Sequence, residues 1–206
     1  MSLQHLHEEA DKGQVLGSKE LVEHLHALWK ERYNESVAVI KKDMTPSDHL
    51  MRAGIGLTAY HRRHHPFDQG RTVGLEQEIR FKLQGNKEHE FVGYIDRLTC
   101  LGDGIYEIHD YKTGQRTPTP QQFRQDRQLA LYEIGVRQNF PDVREVRLIW
   151  HYLANDKQYT SSRTPEELTL LKERIAALIE RIESATDHPC SRGPLCRWCE
   201  YEELCR

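Results

Sequence analysis

The residues of this sequence best suited to chemistry lie on a short stretch of alternating character, Ile105-Tyr106-Glu107-Ile108-His109-Asp110-Tyr111-Lys112. Side chains two apart on an extended chain share a face. Tyr106, Ile108, Asp110 and Lys112 therefore line one side: two apolar residues, then an acid and a base where the strand runs out. An earlier stretch repeats the arrangement, with Val92, Tyr94 and Asp96 sharing a face of Gly93-Tyr94-Ile95-Asp96. The apolar members predict that this shared face looks inward. Carboxylates at the rim of a core-facing surface are costly unless something compensates them. A divalent cation does so, because magnesium prefers carboxylate oxygen and keeps several waters. Lys112, beside Asp110, can neutralise a phosphate oxygen and help to orient or deprotonate a water. A Lewis acid, a nucleophilic water and cationic support for developing charge are the parts that phosphodiester hydrolysis needs. The competing reading has Asp96 and Asp110 merely ending their strands in water. Asp-x-Lys alone fits that reading; a Gly-x-x-Asp run in phase with it tells against it.

The elements that must position these residues follow from periodicity. The first third reads as helical: Leu21, Val22, Leu25, Leu28 and Trp29 recur at helical spacing with charges between them. Thr45-Pro46 is a helix start, predicting a helix over 47–60, ended by the run His61-Arg62-Arg63-His64-His65-Pro66. That run reads as a solvated helix end rather than a metal site, since neighbouring histidines do not share a helix face. The period then changes. Leu75, Ile79, Phe81 and Leu83 among Glu76, Glu78, Arg80 and Lys82 predict a half-buried strand, and 91–99 and 105–112 two more. Turns at Gly85-Asn86 and Gly102-Asp103-Gly104 make the three an antiparallel meander. Thr117-Pro118-Thr119-Pro120 starts a helix predicted over 121–139. A fourth strand follows over 143–153, with Val146, Leu148, Trp150 and Tyr152 on one face. A last helix runs from Thr164-Pro165 to about Ser184.

Length and composition bound the alternatives. The 206 residues suit one domain: a helical part over 1–70, an αβ core over 71–186 and a Cys-rich tail over 187–206. Charged residues make up 30% and the net charge is -3, so nucleic-acid contact must come from a local patch. The sequence has no apolar run of about 18 residues or more, so no membrane span is expected. The start, Met1-Ser2-Leu3-Gln4-His5, has no basic stretch followed by an apolar one, so no secretory signal is expected. It also fits the front of an excised fragment. Of five cysteines, Cys190, Cys196, Cys199 and Cys205 fall in the last 17 residues. Such clustering reads as a metal or iron–sulfur site in a reducing, cytoplasmic compartment rather than as a disulfide framework.

Together, Gly93-Tyr94-Ile95-Asp96-Arg97, Ile108-His109-Asp110-Tyr111-Lys112-Thr113-Gly114 and Gln128-Leu129-Ala130-Leu131-Tyr132 resemble the signature of the RecB-like branch of the PD-(D/E)XK nuclease superfamily. The resemblance runs from about Glu76 to the C-terminus. It implies a restriction-endonuclease-like α/β fold, a central mixed sheet with an antiparallel meander flanked by helices. It implies magnesium (Mg2+) or manganese (Mn2+) dependence and cleavage of DNA single strands or ends, as by an exonuclease in DNA repair or recombination, with a helicase as partner.

Residue by residue, the resemblance makes Asp96 and Asp110 metal ligands and Lys112 the catalytic lysine. Gln128 and Tyr132, four apart on one helix face, support the site or touch DNA. Arg124 and Arg127, on the same predicted helix, hold phosphates or form a solvated face. The family glutamate before Gly-x-x-Asp is read as Glu78, with Glu76 sharing its face and solvent exposure as the rival. The family's early metal-binding histidine is read as His5, with His7 as the other candidate and a frayed terminus as the rival. Pro194-Leu195-Cys196-Arg197-Trp198-Cys199-Glu200-Tyr201 resembles the C-terminal part of the branch's iron–sulfur staple, which implies a 4Fe–4S cluster. The family's first cysteine lies upstream of the early histidine, where this sequence has none. Cys190 is its candidate replacement; zinc (Zn2+) on the four thiolates or an unoccupied tail are the alternatives. Two rival functions remain: a nuclease-like module that grips DNA or a helicase without cutting, and a zinc-ribbon-like interaction protein.

Overall fold

The computed structural model describes residues 1–34, 36, 37, 39, 43–187 and 189–205. Three helices come first, α1 (Ser2–Asp11), α2 (Ser18–Arg32) and α3 (Pro46–His64). The expected meander follows as β1 (Arg71–Gln84), β2 (Glu88–Gly102) and β3 (Ile105–Lys112). Then come α4 (Pro120–Arg124), α5 (Gln128–Asn139), β4 (Glu145–Tyr152), β5 (Lys157–Ser161) and α6 (Pro165–Ser184). The strands form one sheet in the order β1-β2-β3-β4-β5. All neighbours pair antiparallel except β3 and β4, which are parallel. A parallel pair needs a crossover, and the segment carrying α4 and α5 supplies it. The fold is the expected α/β one: a mixed sheet flanked by helices.

Three local differences from the sequence reading have identifiable causes. Helix α3 runs through the His-Arg run to His64 and stops where it must, because His65 precedes Pro66 and a residue before proline is disfavoured in the α region. Its start is a capping box: Thr45 accepts from the Asp48 N–H, and the Asp48 carboxylate accepts from the Thr45 N–H at 2.7 Å. The helix predicted over 121–139 is two. Arg163 donates to the Phe123 carbonyl at 2.7 Å, taking an acceptor a continuous helix would use. Asp126 then accepts the Leu129 N–H at 3.0 Å and restarts the chain as α5. Finally, β5 escaped detection because it is a short polar edge strand, Lys-Gln-Tyr-Thr-Ser, with no apolar alternation to read.

The two faces of the sheet differ in chemistry. On one, Ile108, Leu148 and Trp150 pack with Phe123 and Leu129 from α4 and α5. Each such buried side chain contributes about 1.5–3 kcal/mol. On the other, Leu3 and Leu6 of α1 and Leu57 and Tyr60 of α3 cover Tyr111. The expectation that Val92, Tyr94 and Asp96 share an inward face is corrected: Val92 is 48% and Tyr94 54% exposed, whereas Ile95 is 0% exposed. Ile95 and Leu98 lie an odd number of residues apart yet share one core, so β2 reverses its facing between them, beside Asp96. The β1 residue opposite Asp96 is Glu76, between the pairs Leu75–Arg97 and Gln77–Ile95. Glu76 has φ 47°, in the left-handed region.

Candidate active site

Asp110 sits at the end of β3, 4% exposed. Its Oδ1 accepts from Lys112 Nζ at 2.9 Å. Lys112 also donates to Gln128 Oε1 at 3.3 Å, and Gln128 Nε2 donates to the Tyr132 hydroxyl at 3.3 Å. Two of the three segments singled out in the sequence thus meet in one chain of hydrogen bonds from β3 to α5. Gly93, from the remaining segment, explains the close approach of α5: a Cβ there would collide with the Tyr132 ring. Asp96 falls opposite Asp110, next to the paired Arg97 and His109. Its Oδ2 accepts the Tyr111 main-chain N–H at 2.8 Å.

The electrostatics favour a cation. Burial pushes the Asp110 carboxyl above its usual range, and the charges of Asp96 and Asp126 add to the effect against the opposing pull of Lys112. Burial alone would lower Lys112, but its hydrogen bond to Asp110 and the acidic neighbours raise it. Asp110 Oδ2 is buried without a partner among the described residues, an arrangement that costs free energy unless a cation or donor meets it. Among the described residues, no group of three or more His, Cys, Asp or Glu side chains is gathered as a metal site. Magnesium does not require one, because it binds through one or two carboxylates plus waters and substrate phosphates. Asp96 and Asp110 therefore fit such an ion.

Glu78 lies on the exposed side of β1, accepting from the Tyr94 hydroxyl at 2.8 Å and from Arg80 at 2.7 Å. Glu76, opposite Asp96, lines a cleft of about 900 Å³ together with Asp96, Tyr111 and His7. His5 stacks on His24 of α2, with ring centroids 4.2 Å apart. His7 is buried and hydrogen-bonded to the Tyr60 hydroxyl at 3.0 Å. Arg124 ends α4 and Arg127 precedes α5, both exposed, so they do not share one helix.

Beneath β3 lies a buried polar layer that sequence reasoning missed. His109 is hydrogen-bonded to His151 at 2.9 Å and to Thr99 at 3.1 Å. The Tyr60 and Tyr111 hydroxyls meet at 3.0 Å. Arg97, in the same run as Asp96, is buried here. Burial, with the Arg97 charge next, pushes His7 down to about 2 and His64 to about 4, so both rings are neutral. The odd positions of β3 could have signalled the layer, since Glu107, His109 and Tyr111 alternate with the residues that face the other core.

The tail cysteines are free thiols. Cys205 is raised by a hydrogen bond with Cys190, and the Gly193 N–H donates to Cys196 Sγ at 3.1 Å. Cys196, Cys199 and Cys205 border a void of about 290 Å³.

A family model described as the PD-(D/E)XK nuclease superfamily matches residues 1–206. A solved structure described as the crystal structure of SSO0001 is similar at 15% identity and a TM-score of 0.45, over 78% of this chain and 71% of that one. No curated protein matches.

Proposed function

The chain belongs to the PD-(D/E)XK nuclease superfamily, and from that premise we propose that it is a divalent-metal-dependent deoxyribonuclease acting on DNA single strands or ends. The observation that carries the reading is the unpartnered, buried Oδ2 of Asp110, beside an ion-paired lysine and opposite a second acid. Asp96 and Asp110 would hold magnesium or manganese, which would supply Lewis acidity to the scissile phosphate. Tyr111, through its main-chain N–H, keeps the Asp96 carboxylate turned toward β3. Lys112, which donates to Asp110 Oδ1 from Nζ, would also donate to a phosphate oxygen, offsetting charge that builds up as the bond breaks. Gln128 holds Nζ in place, and Tyr132 holds Gln128. Exposed Arg124 and Arg127 flank the start of α5, where they can meet the DNA backbone.

A motor that unwinds duplex would supply such a site with substrate, which is the support for a helicase partner beyond the resemblance. The four tail cysteines, Cys190, Cys196, Cys199 and Cys205, are free thiols that are not gathered as a metal site among the described residues; as thiolates they would serve a structural iron–sulfur cluster or zinc. Their spacing and the N–H donated to Cys196 support this role, and metal analysis of the purified chain tests it.

The missing third ligand among the described residues favours a second reading, a module that binds DNA without cutting it. One experiment separates the two. Labelled single-stranded and duplex DNA are incubated with the protein, with and without manganese, beside Lys112→Ala. Metal-dependent cleavage that falls about 100-fold or more in the variant supports the enzyme. Binding without cleavage by the parent protein refutes it in favour of the module.

A further inference from the structure

The cleft of about 900 Å³ that contains Asp96 is also lined by one face of α2. That face carries Leu25, Leu28, Trp29, Arg32 and Tyr33, spaced three and four apart. Trp29 and Tyr33 are half-buried and stack on each other, with ring centroids 4.9 Å apart and planes within 7°. Arg32 and, from α3, Arg52 line the same cleft and are exposed. Glu76 and Asp96 line it too. One cleft therefore brings together an aromatic pair, two guanidinium groups, of which Arg32 also donates to Met1 Sδ at 2.8 Å, and the acid assigned to the metal.

We propose that this cleft is a binding subsite for unpaired DNA nucleotides, with a base on the Trp29–Tyr33 stack and backbone phosphates on Arg32 and Arg52, leading a single strand to Asp96. Aromatic faces together with cations are the chemistry that grips single strands without regard to sequence. The arginines and the acids line the same cleft, so a polyanion held by the first shares that cleft with a cation bound at the second. Duplex DNA offers this cleft no free base face, because its bases are stacked and paired within the helix. The proposal rests on the nuclease reading for the role of Asp96, but not for the binding itself.

The test measures binding in chelator, where no cutting occurs, by anisotropy of a labelled oligothymidylate and of a blunt duplex hairpin. Replacing Trp29→Ala together with Tyr33→Ala is expected to weaken oligothymidylate binding about tenfold or more. Duplex affinity should stay unchanged, and Trp29→Phe should recover most of the loss. Each of Arg32→Gln and Arg52→Gln should flatten the salt dependence of oligothymidylate binding by about 0.7 in log–log slope. An aromatic double variant that is folded by circular dichroism and binds as tightly as the parent overturns the proposal. If that variant does not fold, the arginine pair decides, and an unchanged slope overturns it. A protein that cuts DNA with manganese but is indifferent to Trp29 sinks this subsite alone. One that binds through Trp29 and never cuts sinks the nuclease reading alone.

Discussion

The main-chain N–H of Tyr111 donates to Oδ2 of Asp96 at 2.8 Å. The acid on β2 is thus held by the backbone of the very strand that carries Asp110. Where the β2–β3 ladder would place another main-chain pair beyond Arg97 and His109, a side chain has taken the donor instead. Any shift of β3 then moves both acids together, which is what a shared cation requires.

Asp110→Asn is expected to abolish cleavage and yet stabilise the metal-free protein. The folded pKa of Asp110 lies above its ordinary 3.8 because the group is buried. Its stabilising contribution is therefore complete below 3.8 and lost as pH rises through the raised folded value, so at neutral pH the charged form is a burden. The neutral isostere, which keeps an acceptor for Lys112 Nζ, should raise the melting temperature in chelator. Magnesium should raise the melting temperature of the parent by mass action and leave that of the variant alone. A variant that melts lower than its parent in chelator contradicts this account of the site.

Gln128 touches Lys112 and Tyr132, so its effect should be on positioning. Gln128→Ala is expected to lower kcat about 10- to 100-fold with little change in KM, and Gln128→Glu to recover part of the loss by restoring an acceptor for Nζ. A change confined to KM would instead mark Gln128 as a DNA contact.

The row Glu76, Asp96, Asp110 across three strands distinguishes Glu76 from Glu78. Glu76→Gln should lower the cleavage rate, whereas Glu78→Gln should leave it near the parent value, because Glu78 is engaged by Arg80 and Tyr94. Glu76→Gly should also raise the melting temperature, since a left-handed φ on a non-glycine residue costs on the order of 1 kcal/mol. Equal activity losses in the two glutamine variants would remove Glu76 from the site.

The histidine layer predicts acid lability. The folded pKa values of His7 and His64 lie at about 2 and about 4, below their ordinary 6.5, and burial drives His109 and His151 down as well. Stability is thus fully present above pH 6.5 and lost as pH falls toward those folded values. Each histidine can steepen the dependence by up to about 1.4 kcal/mol per pH unit. Urea midpoints measured from pH 7.5 down to 4.5 check this. His151→Gln should start less stable and fall less steeply; a curve parallel to the parent's would exclude the layer as the cause.

Much of the architecture could be read from the chain alone, because its causes are local. The alternation of Leu75 to Leu83 and of Ile105 to Lys112, and the Thr-Pro helix starts, are set by neighbours in sequence. So is the spacing that brings Gln128 and Tyr132 onto one turn. The same locality made Asp110 and Lys112 readable as a pair. Only the tertiary structure decided which side β2 turns at Asp96, that Glu76 rather than Glu78 stands across from it, and that His7 reaches the cleft while His5 stacks on His24. It also decided the break between α4 and α5, made by Arg163 from about forty residues downstream. Periodicity reports which side of a segment is apolar; it says nothing about the register in which two segments pair. When both faces of a strand are covered, as at Arg97 and Thr99, polar residues are buried too, and the alternation that would mark an inner face is gone.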